Sequence, residues 1–291
     1  TWPVTALGWI ASLFQRAQVS QERINQFLQS PIQNYNTDGY QGILDGNIEF
    51  KNVYFTYPET GITALKGINL TINAGEKIAI VGRTGSGKTS IANLLLKFYE
   101  PNIGGSILFD NQNLKDYAVK PFREQIGYVS QDVFLFSDTI ENNINFGLNQ
   151  SNDDDLNRFL KVAELKKDID QFTDGIKTKI GERGVSLSGG QKQRITIARA
   201  LIRNPRLLIL DDCLSAVDAN TEFSIFKNIN NIAGKRTAII ITHRVLSLHK
   251  MDKIIYLESG KIKEFGTFDE LIESKGSFHA LYHKQKLEAD H

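Results

Sequence analysis

GRTGSGKTS, residues Gly82 to Ser90, is the stretch from which the fold is read. Gly82 and Gly87 enclose four residues and are followed by Lys88 and Thr89, the spacing of a phosphate-binding loop. Before it, Lys77 to Val81 is a short run that reads as a buried strand; after it, Ile91 to Phe98 has helical apolar spacing. A polyphosphate carries several negative charges and must be held without drifting. Gly82, Gly85 and Gly87 let successive backbone N–H groups converge on phosphate oxygens, and the helix start adds its partial positive charge. Lys88 is placed to reach the β- and γ-phosphates. The Thr89 hydroxyl is placed to ligate Mg2+, a hard cation that keeps oxygen ligands.

At 291 residues the chain has room for one large domain or two ordinary ones. Its 34 basic and 33 acidic residues leave a net charge of +1, without the overall basic footprint of a nucleic-acid binder. The single cysteine, Cys213, excludes an internal disulfide framework and fits a reducing compartment. Trp2 to Phe14 is the longest apolar stretch that could concern a membrane. It is interrupted by Pro3, Thr5 and Ser12 and is too short to span, and no signal peptide is read. A chain that begins at Thr1 and has Met251 as its only methionine reads as a piece of a longer polypeptide.

Gly8 to Leu28 has helical apolar spacing, which Pro31 ends, and Gln29 to Gly46 reads as a linker. The spacing predicts a strand over Asn47 to Tyr57 with a bulge near Asn52. Ala64 to Ile72, with the turn at Gly75 and Glu76, predicts a hairpin feeding the phosphate-loop strand. Tyr57, an aromatic ahead of a phosphate loop, is either core or a stacking surface for adenine. Gly104 to Phe109 and Ile126 to Val129 read as strands, the second closed by Gln131. Asn149 to Gly175 reads as polar helix with Asp153 to Asp155 at a helix start. Ser188, Gly189, Gly190 and Gln191 precede a long helical pattern and form a second helix start able to take an anion. The apolar strand Leu207 to Leu210 ends in Asp211 and Asp212; next to a phosphate loop, Asp211 is the carboxylate expected to hold Mg2+ and Asp212 the candidate base. Thr237 to Ile241 is a buried strand with His243 two residues past its end. Lys253 to Leu257 and Lys261 to Glu264 flank a Ser259-Gly260 turn, and Asp269 to Glu288 reads as helix.

Residues 45 to 280 together resemble the nucleotide-binding domain of ATP-binding cassette (ABC) transporters. Leu187-Ser-Gly-Gly-Gln191 resembles the family signature, Leu207 to Asp211 the Walker B strand and Ser215-Ala-Val-Asp218 the D-loop. Gln131 and His243 fall at the family's Q-loop and switch histidine, and Tyr57 at its adenine-stacking position. The resemblance implies an α/β fold: a P-loop NTPase (RecA-like) core with an antiparallel β subdomain and an α-helical subdomain at about residues 132–190. It implies ATP and Mg2+ as cofactors, with Tyr57, Gly82, Thr84, Gly85, Ser86, Gly87, Lys88, Thr89, Ser90, Gln131 and His243 as nucleotide contacts. Ser188, Gly189, Gly190 and Gln191 would contact the nucleotide of a second domain, since two domains of this family face head to tail around two ATP molecules. Thr89, Gln131 and Asp211 would attend the metal; Asp212, His243, Gln131 and Lys88 would serve hydrolysis. The segment Val129 to Ile144 and Gly181-Glu-Arg-Gly184 resemble exporters, the latter touching the membrane part. Residues 1–44, including Ser20-Gln-Glu-Arg-Ile24, resemble the cytosolic end of a last transmembrane helix and its linker, which leaves 45–291 as the nucleotide-binding domain. The expected partners are therefore a second such domain and a transmembrane domain of the same longer chain, not nucleic acid, and the expected place is the cytoplasmic face of the cell membrane.

One position departs from the family. Active members place Glu directly after the Walker B aspartate, and here that residue is Asp212, one methylene shorter. A misplacement of about 1 Å costs about 10²-fold in rate, so slow hydrolysis is expected at this chain's own site. An intact signature beside a weak base resembles one half of a heterodimeric exporter with a degenerate ATP site. The alternatives are a homodimeric exporter in which Asp212 suffices as base, and a non-transport ABC ATPase.

Overall fold

Strand formation here follows the burial demanded by two layers. The computed structural model describes residues 2–29, 38–102, 104–148, 152–181, 184–232 and 236–289. The chain divides into two compact units, Thr1–Tyr35 and Asn36–His291. In the first, α1 (Trp2–Leu28) starts with Pro3 in its first turn, where a missing N–H costs nothing, and none of its residues is buried. Trp2, Trp9, Phe14 and Phe27 are all exposed on it. Among the described residues no helix is long and apolar enough to cross a membrane. Pro31 and the segment 30–37, on which part of the linker reading falls, lie outside the described residues.

The second unit opens with β1 (Ile48–Thr56) and β2 (Thr63–Ile72), paired antiparallel from Ile48↔Ile72 to Thr56↔Thr63. The register slips between Phe50 and Val53, where Asn52 takes a left-handed φ of 48°, so the expected bulge is present. The expected hairpin into the phosphate-loop strand is not. β3 (Lys77–Val81) belongs to a different sheet from β2, and the Asn73–Glu76 turn carries the chain between layers. The reason is burial: β3 reads Ile-Ala-Ile-Val with all four residues buried, which suits a strand covered on both faces, whereas β2 alternates buried and exposed residues along its outer half.

After the phosphate loop come α2 (Lys88–Leu95), β4 (Ser106–Phe109), β5 (Gln112–Asn113), α3 (Val119–Glu124) and β6 (Ile126–Val129). Helices α4 (Ile140–Ile144), α5 (Asp153–Val162) and α6 (Lys166–Ile169) follow, then α7 (Gly189–Ile202). Asp153, Asp154 and Asp155 do occupy the first turn of α5, where the helix dipole favours carboxylates. Next come β7 (Leu207–Asp211), α8 (Ala219–Ile232) and three successive strands, β8 (Thr237–Ile241), β9 (Lys253–Glu258) and β10 (Lys261–Gly266). The helix expected over Asp269 to Glu288 is two, α9 (Phe268–Glu273) and α10 (Ser277–Ala289), because Lys275 turns left-handed at φ 53° between them.

One sheet is antiparallel in the order β2-β1-β4-β5; the other runs β10-β9-β3-β8-β7-β6, with β9, β3, β8, β7 and β6 parallel. Side chains on successive residues of the central strands enter opposite cores. Ile78, Ile80, Ile239 and Ile241 face the core shared with the antiparallel sheet and α2. Ala79, Val81, Ala238 and Ile240 face the core shared with α5, α7 and α8. The alternation gives one sheet two covered faces, the α/β arrangement read from the sequence.

The β4–β5 turn ties the layers' entrance. Asp110 and Asn111 both have positive φ (48° and 67°), as a two-residue hairpin turn demands. The Asp110 carboxylate accepts from the backbone N–H groups of Asp45, Gly46 and Asn47 at 2.8, 3.1 and 2.9 Å. Replacing it should free three donors just ahead of β1. Asp110→Ala is expected to lower stability by about 2 kcal/mol, read as an earlier urea midpoint at unchanged slope, with Asp110→Asn losing less.

Candidate nucleotide site

The phosphate loop is shaped by what lies behind it. Gly87 caps α2 in a left-handed conformation (φ 103°), and a Cβ there would run into the Ala64 carbonyl. A Cβ on Gly82 would meet the Leu257 carbonyl at the end of β9. The Ser86 carbonyl accepts from Gly260 N–H at 3.1 Å, and the Gly260 carbonyl accepts from Lys66 N–H at 2.8 Å, so the β9–β10 turn links the loop to β2. Ser86 Oγ is buried with no protein partner.

Above the loop lies a cleft of about 630 Å3, large enough for a nucleoside triphosphate. Tyr57, Thr84, Gly85, Gly87, Lys88, Thr89, Ser90, Gln131, Asp211, Asp212 and His243 all line it. Segments distant in sequence converge because β3, β7 and β8 are parallel neighbours. In register Ile80 lies beside Ile241 and Ile241 beside Asp211, so the three carboxyl ends deliver the loop, Asp211 with Asp212, and His243 to one edge.

Lys88 Nζ donates to the carbonyls of Gly82 and Arg83 at 2.9 and 3.0 Å. Burial pulls its pKa down, against the opposing pull of Asp212 and Asp211. Asp211 is 2% exposed, and Thr89 Oγ1 donates to its Oδ1 at 3.3 Å. Burial pushes its carboxyl above the ordinary range; the Thr89 hydrogen bond opposes this, Asp212 adds to it and Lys88 opposes it. A cation beside Asp211 would relieve that penalty. The Thr89 hydroxyl, the Asp211 carboxylate and the Gln131 side-chain oxygen form an all-oxygen set whose chemistry fits Mg2+.

Asp212 follows β7 at a left-handed φ of 46°, its N–H bonded to the Ile241 carbonyl at 2.8 Å. Its Oδ1 lies 2.8 Å from His243 Nδ1, with the carboxylate side chain 18% exposed and the imidazole 54% exposed. Tyr57 is half-buried: its ring stands edge-on to Phe55 and Tyr99, and its hydroxyl lies 2.9 Å from Ser90 Oγ and accepts from Asn93 Nδ2. It is thus both part of a packed aromatic cluster and a wall of the cleft.

Ser188, Gly189, Gly190 and Gln191 do not line this cleft. They open α7 through a capping box: Ser188 Oγ accepts from Gln191 N–H, and Gln191 Oε1 accepts from Ser188 N–H. Gln191 Nε2 and Arg194 both donate to the Asp168 carboxylate. Burial disfavours that carboxylate, but the Arg194 and Gln191 hydrogen bonds outweigh it and hold its pKa below the usual range. Ser188 and Gly189 stay exposed, leaving the helix start open to solvent. Glu182 and Arg183 lie outside the described residues.

Two residues with no signal of their own in the sequence join these parts. Gln193, buried in α7, donates from Nε2 to Ser215 Oγ at 3.1 Å and accepts from Ala216 N–H at 3.0 Å. Arg244 donates to the carbonyls of Ser215 and Val217, both at 2.7 Å, and to the buried Glu222 at 2.8 Å. Segment Ser215–Asp218 is therefore gripped from the α7 side and from the His243 side. Adjacency to His243 was the one hint for Arg244; its targets are 22 to 29 residues away.

The family model for ABC transporters matches residues 65–215, more than half of the chain. A Bacillus subtilis (strain 168) protein named "Probable multidrug resistance ABC transporter ATP-binding/permease protein YheI" is 40% identical over 296 aligned positions, covering 98% of this chain and 49% of that protein. The ATP-dependent lipid A-core flippase of Escherichia coli (strain K12) is 38% identical over 284 residues, covering 97% and 49%. A solved structure of a bacterial Atm1-family ABC exporter with ATP bound superposes at a TM-score of 0.84 with 32% identity, over 96% of this chain and 49% of that one. The chain spans about half the length of the curated relatives it matches. With the family model, these relatives and the cleft around Gly82 to Ser90 in agreement, the chain belongs to the ABC transporter family, as an ATP-binding and ATP-hydrolysing domain.

Proposed function

We propose that this domain is the cytoplasmic motor of a membrane exporter, working as a pair with a second ABC domain and hydrolysing ATP slowly at its own site. The observation that carries the pairing is the separation of two anion-ready helix starts. The α2 start lies inside the cleft, while Ser188 to Gln191 open α7 outside it, with Ser188 and Gly189 exposed to solvent. A head-to-tail partner would bring its own signature over this cleft and receive this chain's signature over its nucleotide. The closed pair binds ATP more tightly than the open one, and that difference is what moves the attached membrane helices. Residues 1–44 are read as the end of the last transmembrane helix and its linker, joined to domain 45–291; exporter relatives of twice the length support this. The near-zero net charge argues against nucleic acid as a partner.

In this reading Thr89, Gln131 and Asp211 hold Mg2+, which neutralises phosphate charge. Lys88 and the N–H groups of Gly85 to Thr89 orient the β- and γ-phosphates, with Thr84, Ser86 and Ser90 completing the loop. His243 contacts the γ-phosphate and Asp212 orients the attacking water. Asp at this position has the base's chemistry but a shorter reach, which supports a degenerate site in a heterodimer. A homodimer in which Asp212 suffices as base is the second reading, favoured by the 2.8 Å contact that fixes Asp212 against His243 inside the cleft.

Asp212→Glu is expected to raise ATP turnover at least tenfold with nucleotide affinity unchanged, in the chain assayed at concentrations that favour pairing. A natural chain already as fast as the variant would discard the degenerate site in favour of the homodimer. For the base contact, Tyr57→Ala should weaken ATP binding by about 1–3 kcal/mol, the range seen when aromatic–base stacking is removed. Isothermal titration reads this directly; unchanged affinity would return Tyr57 to a packing role.

A further inference from the structure

Helix α10 lies well outside the phosphate loop, the Walker B strand and the signature, yet one of its side chains holds the segment that carries His243. Gln285 Nε2 donates to the His243 carbonyl at 2.6 Å, and Gln285 Oε1 accepts from Val245 N–H at 2.8 Å. The amide thus pairs with two backbone groups on either side of Arg244, as a neighbouring strand would, just beyond the end of β8 at Ile241. The helix that presents it is itself fixed. Ser277 and Phe278 N–H groups donate to the Glu264 carboxylate on β10, and Phe278 is fully buried against the ring of Phe268. Leu281 and Tyr282 pack on the same core as Val245 and Leu248.

Resting on the reading of His243 as the γ-phosphate contact, we propose that Gln285 is a positioning residue for ATP hydrolysis, fixing the peptide of His243 so that its imidazole faces the cleft. Arg244 anchors this segment on the other side, to Ser215 and Val217, so the peptide is clamped between α10 and the D-loop segment. Loss of the amide leaves the Arg244 side held and the His243 carbonyl free to rotate. The imidazole then spends part of its time displaced, and a displacement of about 1 Å is enough to cost up to about 10²-fold in rate. The nucleotide itself is held by the loop residues, which Gln285 does not touch, so affinity should not follow.

The test is single-turnover ATP cleavage, which reads slow rates, with nucleotide affinity measured alongside, in the chain carrying Gln285→Leu, Gln285→Glu, His243→Ala and the Leu and Ala changes together. The expected result is a cleavage rate about tenfold lower in Gln285→Leu with affinity within twofold. Gln285→Glu, which keeps the acceptor for Val245, should fall between, and it carries the test if the Leu variant does not fold. The Leu change should add no loss on top of His243→Ala, because both act through one group. Hydrogen exchange at the Val245 amide should quicken in Gln285→Leu. Cleavage within twofold of the natural chain for Gln285→Leu while His243→Ala loses tenfold or more, or losses that multiply in the double variant, would overturn the positioning role. If His243→Ala cleaves as fast as the natural chain, the role of His243 is what fails, and this proposal goes with it.

Discussion

Parallel pairing of β3, β8 and β7 is the constraint on which the rest of the molecule depends. With Ile80 beside Ile241 and Ile241 beside Asp211, three chain segments leave the sheet at the same edge and in the same direction. Everything chemical in the cleft hangs from those exits: the phosphate loop from Val81, the two aspartates from Leu210, His243 from Ile241. Shift one strand by a residue and every side chain on it exchanges cores, which the isoleucines on one face and the smaller Ala79 and Ala238 on the other would not tolerate. Burial on both faces therefore fixes the geometry of the polar edge.

Around that edge, charge and hydrogen bonding are balanced within small groups. Asp211 is carried above the ordinary carboxylate range by burial, with Thr89 and Lys88 opposing. Asp212 leans on His243, and Lys88 on the carbonyls of its own loop. These contacts satisfy groups that would otherwise be costly to bury, and each involves an atom suited to a phosphate, a metal or a water. Beyond the edge, amide and guanidinium side chains act as fasteners. Gln193 joins α7 to Ser215 and Ala216; Arg244 joins the His243 segment to Ser215 and Val217; Gln285 joins it to α10. The helix start at Ser188, which would meet a partner in the proposed pairing, is thereby joined through α7 and Ser215 to Val217 to the segment that carries His243.

Much of this was legible in the order of residues, and the failures have physical causes. The phosphate loop, the buried strands and the second glycine-led helix start are local patterns, and local patterns survive translation into structure. The misread hairpin after β2 shows the limit: a strand, a turn and a strand look alike whether the partners pair or separate into layers, and only the burial of β3 on both faces sends it to the other sheet. Likewise the break between α9 and α10 rests on a left-handed Lys275, a residue with no special claim to that conformation. Tyr57 resisted a single reading because it has two environments, an aromatic cluster on one side and the cleft on the other.

By itself the sequence determined the chemistry available: a glycine-rich loop with Lys88 and Thr89, a pair of carboxylates following an apolar run, and a second glycine-led helix start at Ser188. Spacing along the chain is enough for these because each is a contact between near neighbours. Tertiary structure decided which of them share a cleft and which do not, and it supplied the fasteners Gln193, Arg244 and Gln285, whose partners lie 22 to 42 residues away. A glutamine or arginine carries no periodic or compositional mark of a distant carbonyl. Its role exists only once packing has brought the two together and excluded the water that would compete for them.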